Sequence, residues 1–543
     1  MKSLGNVAAD PFVIGHGITF SASGGSAGAS SSSVMRSRIL AEMREAEHII
    51  NRFHVDGRRI ETSSLSSAAV NGMLRSLDPH SHFYNPLEWK DLLDEQQSSY
   101  AGIGATITNF RSGSTTETYV LSVVPGSPAE RGRLHFGDRI IAVDSEKMAN
   151  RDSEEVRDKI RGPAGTMLSL TVERAGTRQI EQIQVRRAEL KHPSVPYAHL
   201  LKPGVGYIAL TEGFTYSTSA EFRTALLNLK QLGMNSLVVD LRGNRGGIVE
   251  QAVKVAETFL PSGTLILTQR GRSGADNRVY RSSSLRPETM PLVLLVDADT
   301  ASAAEIVAGA FQDNDRALIA GEKTFGKGLV QSVIDLPGSS GLTLTTARYL
   351  TPAGRSIQRD YSKVDLYDYF ANRSVSAAID RPYFEARTPT NRRLLGGDGI
   401  LPDEIVPSKD ITIVQASLLD SLFFFAREVV AERPVVATGH PLSWTSLQKR
   451  IAPTDVFVSD DLVSAFETFA LRNANGKVDL HTLRSETGFI RLRMRHNLAL
   501  AAHDVNTAHR LLIENDPRVV RAIQALPRSA ELARLAGTAH KRQ

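Results

Sequence analysis

The stretch PLVLLVDADTASAAEIVAGA, residues 291–310, decides the fold class of this chain. The consecutive apolar residues Leu292 to Val296 predict a strand that is buried on both faces. The small residues that begin at Ser302 predict the start of a helix. A buried strand followed closely by a helix is typical of a layered α/β domain, in which reactive groups gather at the ends of strands.

The same alternation of strands and helices continues on both sides of this stretch, over residues 195–410. The pattern predicts further strands at residues 206–210, 236–241, 264–270 and 316–320, and helices at residues 219–232 and 249–260. We therefore assign residues 195–410 to one α/β domain.

Ser302 and Lys327 carry the clearest chemistry in this domain. Ser302 stands at the predicted start of a helix, where free N–H groups and the positive end of the helix dipole favour an oxyanion. Lys327 lies between Gly326 and Gly328, and its apolar neighbours would lower the pKa of its amine by desolvation. A lysine kept neutral in this way can take the proton of a serine hydroxyl. Cysteine nucleophiles are excluded, because the chain has no cysteine.

Both residues also have an ordinary structural explanation. Serine is a common N-cap of helices, and a lysine in a glycine turn commonly lies at the surface. Residues 321–327 also match the Gly-x-x-x-x-Gly-Lys part of a phosphate-binding loop. Gly328 stands where that loop needs Ser or Thr for magnesium, and the residues after it alternate like a strand. Nucleotide binding is therefore disfavoured.

The segment DLRGNRGG, residues 240–247, ends one predicted strand and enters a helix. Paired glycines can turn backbone N–H groups towards a developing negative charge. Gly246, or failing that Gly247, is therefore a candidate oxyanion donor beside the N–H of Ala303. An ordinary strand-to-helix turn would have the same pattern.

Residues 98–190 consist of short predicted strands with turn residues between them and two short helices, and this region is similar to a PDZ domain. In such domains the N–H groups of a glycine-rich loop hold a peptide's terminal carboxylate, while the peptide adds a strand to the sheet edge. The resemblance assigns this loop to Gly102, Ile103, Gly104 and Ala105. The turn glycine at Gly132-Arg133-Leu134 stands one position early, so we expect an altered turn there.

The remaining segments frame these two domains. Residues 1–34 are rich in Ser, Gly and Ala towards their end, which predicts a flexible tail. Residues 35–97 and 411–543 predict two helical regions. The second of these shows no recognisable chemistry, so a partner surface or a structural brace is the expected role.

Composition narrows the function classes further. The 543 residues are enough for three or four domains. With 64 Lys and Arg against 59 Asp and Glu, the net charge is only +5, and the sequence shows no dense basic stripe of the kind that binds nucleic acid. No apolar run is long enough to span a membrane. His80 and His82 are too few ligands for a metal site, and a structural turn is the simpler interpretation.

Together, these segments resemble the carboxyl-terminal processing peptidases, which are serine endopeptidases with a PDZ domain. The shared motifs lie in the family's order and cover residues 35–407: LDPHS (77–81), GIG (102–104), GSPA (126–129), DLRGNRGG (240–247), TASAAE (300–305) and TFGKGLVQ (324–331). Two positions depart from the family's frequent residues: Ala304 replaces a serine and Arg245 a proline. Arg245 would be able to alter the oxyanion turn.

The resemblance implies a crotonase-like or Clp-like protease core in which Ser302 is the nucleophile, Lys327 the base and Gln331 the residue that orients the amine. It also implies a PDZ domain that recruits and gates protein tails, no cofactor or metal, and a periplasmic or other extracytoplasmic location. Because no export signal is visible, an exported form would have lost its signal or begin elsewhere. The terminal helices would be able to support a homo-oligomer.

Two other functions stay open at this point. The chain would be a binding scaffold if the protease domain were inert or permanently closed. An acyl-transfer enzyme of crotonase-like architecture would need a nucleotide-thioester pocket, for which the sequence shows no feature.

Overall fold

The computed structural model describes residues 29–362, 366–371, 385–431, 456, 458–473 and 478–540. Its N-terminal region contains the elements α1 (Ala29–Phe53), α2 (Thr62–Arg75), β1 (His82–Tyr84) and α3 (Pro86–Gln96). Residues 1–28 of the predicted tail lie outside the described residues. Helix α1 begins inside the predicted tail, because a helix that has formed extends at little cost through alanine and serine.

The N-terminal region also contributes a strand that its helical pattern did not predict. The strand β1 pairs antiparallel with Gly341–Leu350 of the protease region, with Tyr84 opposite Gly341. Trp89 of α3 packs on Gly341 so closely that a Cβ there would lie 2.3 Å from the indole. Its indole N–H donates to Asp335 at 3.1 Å. The N-terminal region is therefore built into the protease core.

The PDZ-like region folds as predicted into a small β-rich unit. Its strands and helices are β2 (Ser99–Gly102), β3 (Ala105–Ser112), β4 (Thr115–Val123), α4 (Pro128–Arg131), β5 (Arg139–Val143), β6 (Glu146–Lys147), α5 (Ser153–Ile160), β7 (Met167–Glu173), β8 (Ile180–Arg186) and β9 (Ala188–Lys191). The main sheet has the order β3-β4-β5-β7-β8, with β6 beside β5, while β2 pairs with β9. The strand β3 therefore forms an edge of the main sheet.

The turn after α4, where the glycine stands one position early, has its left-handed residue at Arg133. Arg133 itself adopts the left-handed conformation, with φ at 56°, and Gly132 does not. Its neighbour Leu134 is buried in the PDZ core. The chain thus makes the turn without a glycine at the left-handed position, at a local conformational cost of about 1 kcal/mol.

The protease region is built on a six-stranded sheet that is parallel except at one edge. Its order is β10-β11-β12-β15-β16-β21, formed by β10 (Tyr197–Lys202), β11 (Val205–Ala209), β12 (Ser236–Asp240), β15 (Leu292–Val296), β16 (Leu318–Gly321) and β21 (Glu404–Ile405). Helices α6 (Thr218–Gln231), α7 (Val249–Glu257) and α8 (Ala303–Asp313) share one apolar core with this sheet. Alternate strand residues face opposite cores, so that Leu294 lies in one core and Leu295 in the other.

A second, antiparallel sheet completes the protease region. It has the order β1-β18-β13-β14, with β17 also beside β18, and contains β13 (Leu265–Gly271), β14 (Arg278–Arg281), β17 (Leu329–Asp335) and β18 (Gly341–Leu350). After β18, the chain forms the short helix α9 (Leu366–Ala371) and the hairpin of β19 (Glu385–Arg387) and β20 (Arg393–Leu395).

The C-terminal region is helical, as predicted. It comprises α10 (Ile413–Val430), α11 (Asp460–Asn473), α12 (Leu480–Ser485), α13 (Thr487–Ala502), α14 (Val505–Ile513) and α15 (Pro517–His540). Helix α15 covers the second face of the parallel sheet, where Val519, Ala522 and Leu526 pack with Val293 and Leu295. The region is therefore a structural brace for the protease sheet.

Helix α10 joins this brace to the PDZ domain. The ring of Phe423 stacks on Phe110 with a centroid distance of 3.7 Å. The guanidinium of Arg427 is fully buried, donates to the carbonyl of Gly137 at 2.7 Å and pairs with Glu173 at 2.8 Å. No helix among the described residues has the length and apolar character needed to span a membrane.

Candidate active site

Ser302 lies in the turn between β15 and α8, in a conformation that residues with side chains rarely adopt. Its φ is 55° and its ψ is −117°. Such a conformation costs about 1–3 kcal/mol and persists only where surrounding contacts enforce it. The residue is fully buried, and its hydroxyl has no hydrogen-bond partner among the described residues. The turn therefore holds an unbonded hydroxyl at the end of a parallel strand.

The structure brings Lys327 and Gln331 together beside this turn. The Lys327 side chain is fully buried, and its amine donates to Oε1 of Gln331 at 2.8 Å. The amide nitrogen of Gln331 donates in turn to the backbone carbonyl of His80. The N-terminal region thus fixes the amide orientation that makes Gln331 an acceptor for the amine.

Glu305 ties the serine turn to the lysine turn through backbone N–H groups. Its Oε2 accepts from the N–H of Ser302 at 2.8 Å and from the N–H of Lys327 at 2.9 Å. Its Oε1 accepts from Gly326 N–H and from the hydroxyl of Thr324. Because Ser302 and Lys327 both bond to one oxygen atom, their backbones are neighbours. Burial raises the pKa of Glu305 to about 7, although these hydrogen bonds act to lower it.

Tyr349 connects the same two residues through their carbonyl groups. Its hydroxyl lies 2.9 Å from the carbonyl oxygen of Ser302 and 2.7 Å from that of Lys327. Nothing in the local sequence marks this tyrosine. It stands on β18, which pairs with both β17 and β13.

The predicted oxyanion turn lies against the serine. Gly246 has a φ of 102°, and a Cβ on it would lie 2.7 Å from the Cβ of Ser302 and 3.0 Å from the nitrogen of Ala303. Ala303 is the first residue of α8, so its N–H has no acceptor within the helix. Gly247 lies against Phe214 instead, with the Phe214 carbonyl oxygen 2.3 Å from an added Cβ. Gly246, not Gly247, is therefore the neighbour of Ser302.

The N–H of Gly246 is already engaged in this conformation. It donates to Oδ1 of Asn244 at 2.9 Å, and the Asn244 amide donates to the carbonyl of Leu210. Arg245 extends away from the turn, with half of its side chain exposed and its guanidinium 3.9 Å from Asp299. Arginine in place of the family's frequent proline at position 245 therefore leaves the left-handed conformation of Gly246 in place.

Aromatic residues cover the two turns. Tyr369 of α9 shares an apolar cluster with Ala301 and Phe325, which stand next to the serine and lysine turns. Its hydroxyl lies 2.9 Å from Nε2 of His80. The guanidinium of Arg359 stacks on the rings of Phe325 and Tyr369 at 4.4 and 4.6 Å. These contacts contribute to the complete burial of the hydroxyl and the amine.

His80 has a structural place in this arrangement. Asp78 accepts hydrogen bonds from the N–H groups of His80 and Ser81, which closes a tight turn and presents the His80 carbonyl to Gln331. The ring of His82 packs against Tyr84 with a centroid distance of 4.7 Å. No group of three or more His, Cys, Asp or Glu with the geometry of a metal site occurs in the part of the chain that the structure describes.

The four predicted PDZ loop residues lie together, outside the serine site. Gly102 ends β2, and Ala105 begins the edge strand β3. Ile103 is buried, and its carbonyl accepts from Ala129 at 2.8 Å. Gly104 has a φ of 80°, and a Cβ there would lie 2.5 Å from the Cβ of Ser127. The loop therefore stands at the start of the edge strand β3.

Comparisons with known proteins agree with this architecture. Residues 204–367 match the model of peptidase family S41, and residues 92–173 match that of the PDZ domain. The carboxy-terminal-processing protease of Bartonella bacilliformis is 35% identical over 304 residues, which cover 55% of this chain and 68% of the relative. The carboxyl-terminal-processing protease of Picosynechococcus is 35% identical over 311 residues, covering 56% and 72%. The carboxy-terminal processing protease CtpA of Bacillus subtilis is 31% identical over 339 residues, covering 62% and 71%.

Proposed function

The chain belongs to the carboxyl-terminal processing proteases of peptidase family S41, and on that premise we propose that it is a serine endopeptidase with Ser302 as nucleophile and Lys327 as general base. The observation that carries the proposal is the shared attachment of both residues to Glu305 and Tyr349 in a fully buried pocket. Burial disfavours a charged amine, and a neutral amine is what a general base requires.

Gln331 orients the base in this mechanism. Its Oε1 accepts a hydrogen bond from the Lys327 amine, and its own amide is held by the His80 carbonyl. One N–H of the amine is thereby committed to Gln331, which restricts the directions in which the nitrogen lone pair can point. The base is thus pre-oriented before substrate arrives.

The reaction has two halves. The Ser302 oxygen attacks the carbon of the peptide carbonyl while the Lys327 amine takes the hydroxyl proton. The electrons of the C=O double bond move to the carbonyl oxygen, which becomes the oxyanion. When the tetrahedral intermediate collapses, the C–N bond breaks and the leaving amine takes the proton from Lys327. A water molecule then gives a proton to Lys327 and attacks the acyl-enzyme, and the Ser302 oxygen leaves with that proton.

The N–H groups of Gly246 and Ala303 stabilise the oxyanion in both halves. The Gly246 turn and the first turn of α8 are in contact, and each of them contributes one of the two N–H groups. For Gly246, the oxyanion replaces Asn244 as the acceptor, because its N–H donates to that side chain in this conformation. Donors aimed at the oxyanion contribute most where water is excluded.

The PDZ domain supplies substrate in the form of protein tails. A terminal carboxylate would bind the N–H groups at Gly102–Ala105, and the tail would add a strand to the edge of β3. This mode favours protein substrates with an exposed, unstructured C-terminus. We further propose that the enzyme works outside the cytoplasm, which cell fractionation of the full-length protein tests.

The direct test compares Ser302→Ala with the native chain on an unstructured protein with a free C-terminus. The variant should lose cleavage and still bind a tail peptide in a titration with the full chain. Cleavage that continues in this variant would show that Ser302 is not the nucleophile. The native rate should rise from pH 5 through mildly alkaline pH, because the base must lose its proton, and a flat profile would contradict the role of Lys327.

A second candidate function is a permanently closed binding scaffold. The complete burial of Ser302 and Lys327 favours it, since no substrate reaches the hydroxyl in this conformation. A fluorophosphonate probe, applied with and without a tail peptide, separates the two functions. Labelling of Ser302 in either condition supports the enzyme, and its absence in both conditions supports the scaffold.

A further inference from the structure

Tyr349 is a fully buried residue that contacts both reactive segments. Besides its hydroxyl contacts with the carbonyls of Ser302 and Lys327, its backbone N–H donates to the carbonyl of Gly328 at 3.0 Å. Burial raises the pKa of Tyr349 well above its ordinary value of 10. The hydroxyl therefore keeps its proton and remains a donor at neutral and mildly alkaline pH.

The position of Tyr349 complements that of Glu305. Glu305 bridges the N–H groups of Ser302 and Lys327, while Tyr349 bridges their carbonyl groups. The N–H groups of both residues are therefore held by one carboxylate, and their carbonyl groups share the single proton of one hydroxyl. Two such bridges fix the separation of the two residues and also their relative rotation.

We propose that Tyr349 is a positioning residue whose hydroxyl holds the Ser302 hydroxyl and the Lys327 amine in reacting alignment. This inference rests on the proposed function, in which a proton passes between those two groups. Small misplacements matter for such a step, since a shift of about 1 Å can lower a rate about a hundredfold.

The ring and the hydroxyl of Tyr349 have separable roles. The ring belongs to the large apolar core, with Val330, Ala347 and Ile357 among its members. Tyr349→Phe keeps this packing and removes only the donor. The Ser302 carbonyl then still accepts from Ile306 N–H at 3.0 Å, whereas the Lys327 carbonyl loses the Tyr349 donor. The change should therefore act mainly on the lysine turn.

The experiment compares Tyr349→Phe with the native full chain on a short fluorogenic peptide. The turnover number should fall ten- to a hundredfold, and KM should stay within twofold. A fluorophosphonate should still label the same final fraction of Ser302 as in the native chain. The rate constant of labelling should fall in proportion to the turnover number. Tyr119→Phe is the matched control, because its buried hydroxyl bonds to Glu117 in the PDZ domain at 3.0 Å, away from the site.

A purely structural role predicts a different result. Poor folding lowers the end point of labelling but leaves the rate constant of each labelled site unchanged, and that outcome would overturn the inference. An unchanged turnover number at the full end point would overturn it as well. Tyr349→4-aminophenylalanine keeps a donor at the same ring position and should restore the labelling rate if the donor is what matters.

The same assays separate this inference from the proposed function. If Ser302→Ala abolishes cleavage and Tyr349→Phe has no effect, only the role of Tyr349 is wrong. If Ser302→Ala still cuts, the proposed nucleophile is wrong and the effect of Tyr349→Phe has another cause.

Discussion

Gly246→Ala should damage catalysis far more than it damages stability. The new methyl group would lie 2.7 Å from the Cβ of Ser302 and 3.0 Å from both the carbonyl oxygen of Ala301 and the nitrogen of Ala303. Atoms this close must separate, so the serine turn and the Gly246 turn would be pushed apart. The displaced groups are the proposed nucleophile, Ser302, and the two proposed oxyanion donors.

The expected magnitude follows from two separate effects. An alanine held at a φ of 102° costs about 1–3 kcal/mol of backbone strain, which lowers stability. Loss of one oxyanion donor typically lowers turnover about 10²–10³-fold, equivalent to about 2.7–4 kcal/mol. We therefore expect a fall of at least a hundredfold in kcat, with a moderate loss of thermal stability.

Gly243→Ala provides the matched control for this prediction. Gly243 stands in the same turn with a φ of 72°, but a Cβ there meets nothing within 4 Å. That variant bears the backbone strain without the clash, so its kcat should stay within about fivefold of the native value. Both variants are assayed on an unstructured peptide substrate, with rates expressed per site labelled by a fluorophosphonate. A Gly246→Ala enzyme as active as Gly243→Ala would refute the reasoning.

Three further predictions concern the serine site and the packing of the protease region. Glu305→Gln should lower kcat at least tenfold. The carboxylate now accepts hydrogen bonds from four donors, and in the variant the amide nitrogen, itself a donor, would face two of them. A native rate in steady-state assays would contradict this prediction. Trp89→Phe should lower the free energy of unfolding by about 1–3 kcal/mol through the lost bond to Asp335, measured by urea denaturation, and a smaller loss would mean that the bond is dispensable. His199 lies on β10 of the protease sheet. Burial lowers its pKa to about 4 from 6.5, so the folded state binds a proton less readily than the unfolded state. Stability is therefore lost as the pH falls from 6.5 through 4. The melting temperature of His199→Phe should therefore fall less than that of the native chain over this pH range. An equal fall would assign the acid sensitivity to other groups.

Much of the fold was predictable because its signals are local. The strand and helix around Ser302, the glycine turn of Lys327 and the alternation of the α/β domain each lie within short windows of sequence. The convergence of Ser302 and Lys327 followed from the rule that neighbouring strands gather reactive groups at one edge of a sheet, and the resemblance to the carboxyl-terminal processing peptidases added Gln331. The structure places these three residues together in the protease core.

The missing parts depend on contacts between distant segments. The carbonyl of His80 that orients Gln331 comes from 251 positions away in the chain. Tyr349 gains its place because β18 pairs with β17 and β13, and β1 joins the same sheet from the N-terminal region. Such pairings are selected by tertiary packing, for which a short window of sequence carries no signal. The buried environment of Glu305 was hidden for the same reason.

The insertion of Arg427 into the PDZ domain has a practical consequence for protein engineering. A chain cut after residue 410 would contain both family domains but would leave Phe110, Tyr119 and Phe136 without the Phe423 ring that now packs on them. Glu173 would lose its buried cation, and the sheet face beneath α15 would be open to water. Such a truncated product should aggregate on expression, so a soluble fragment of this protease should retain helices α10 and α15.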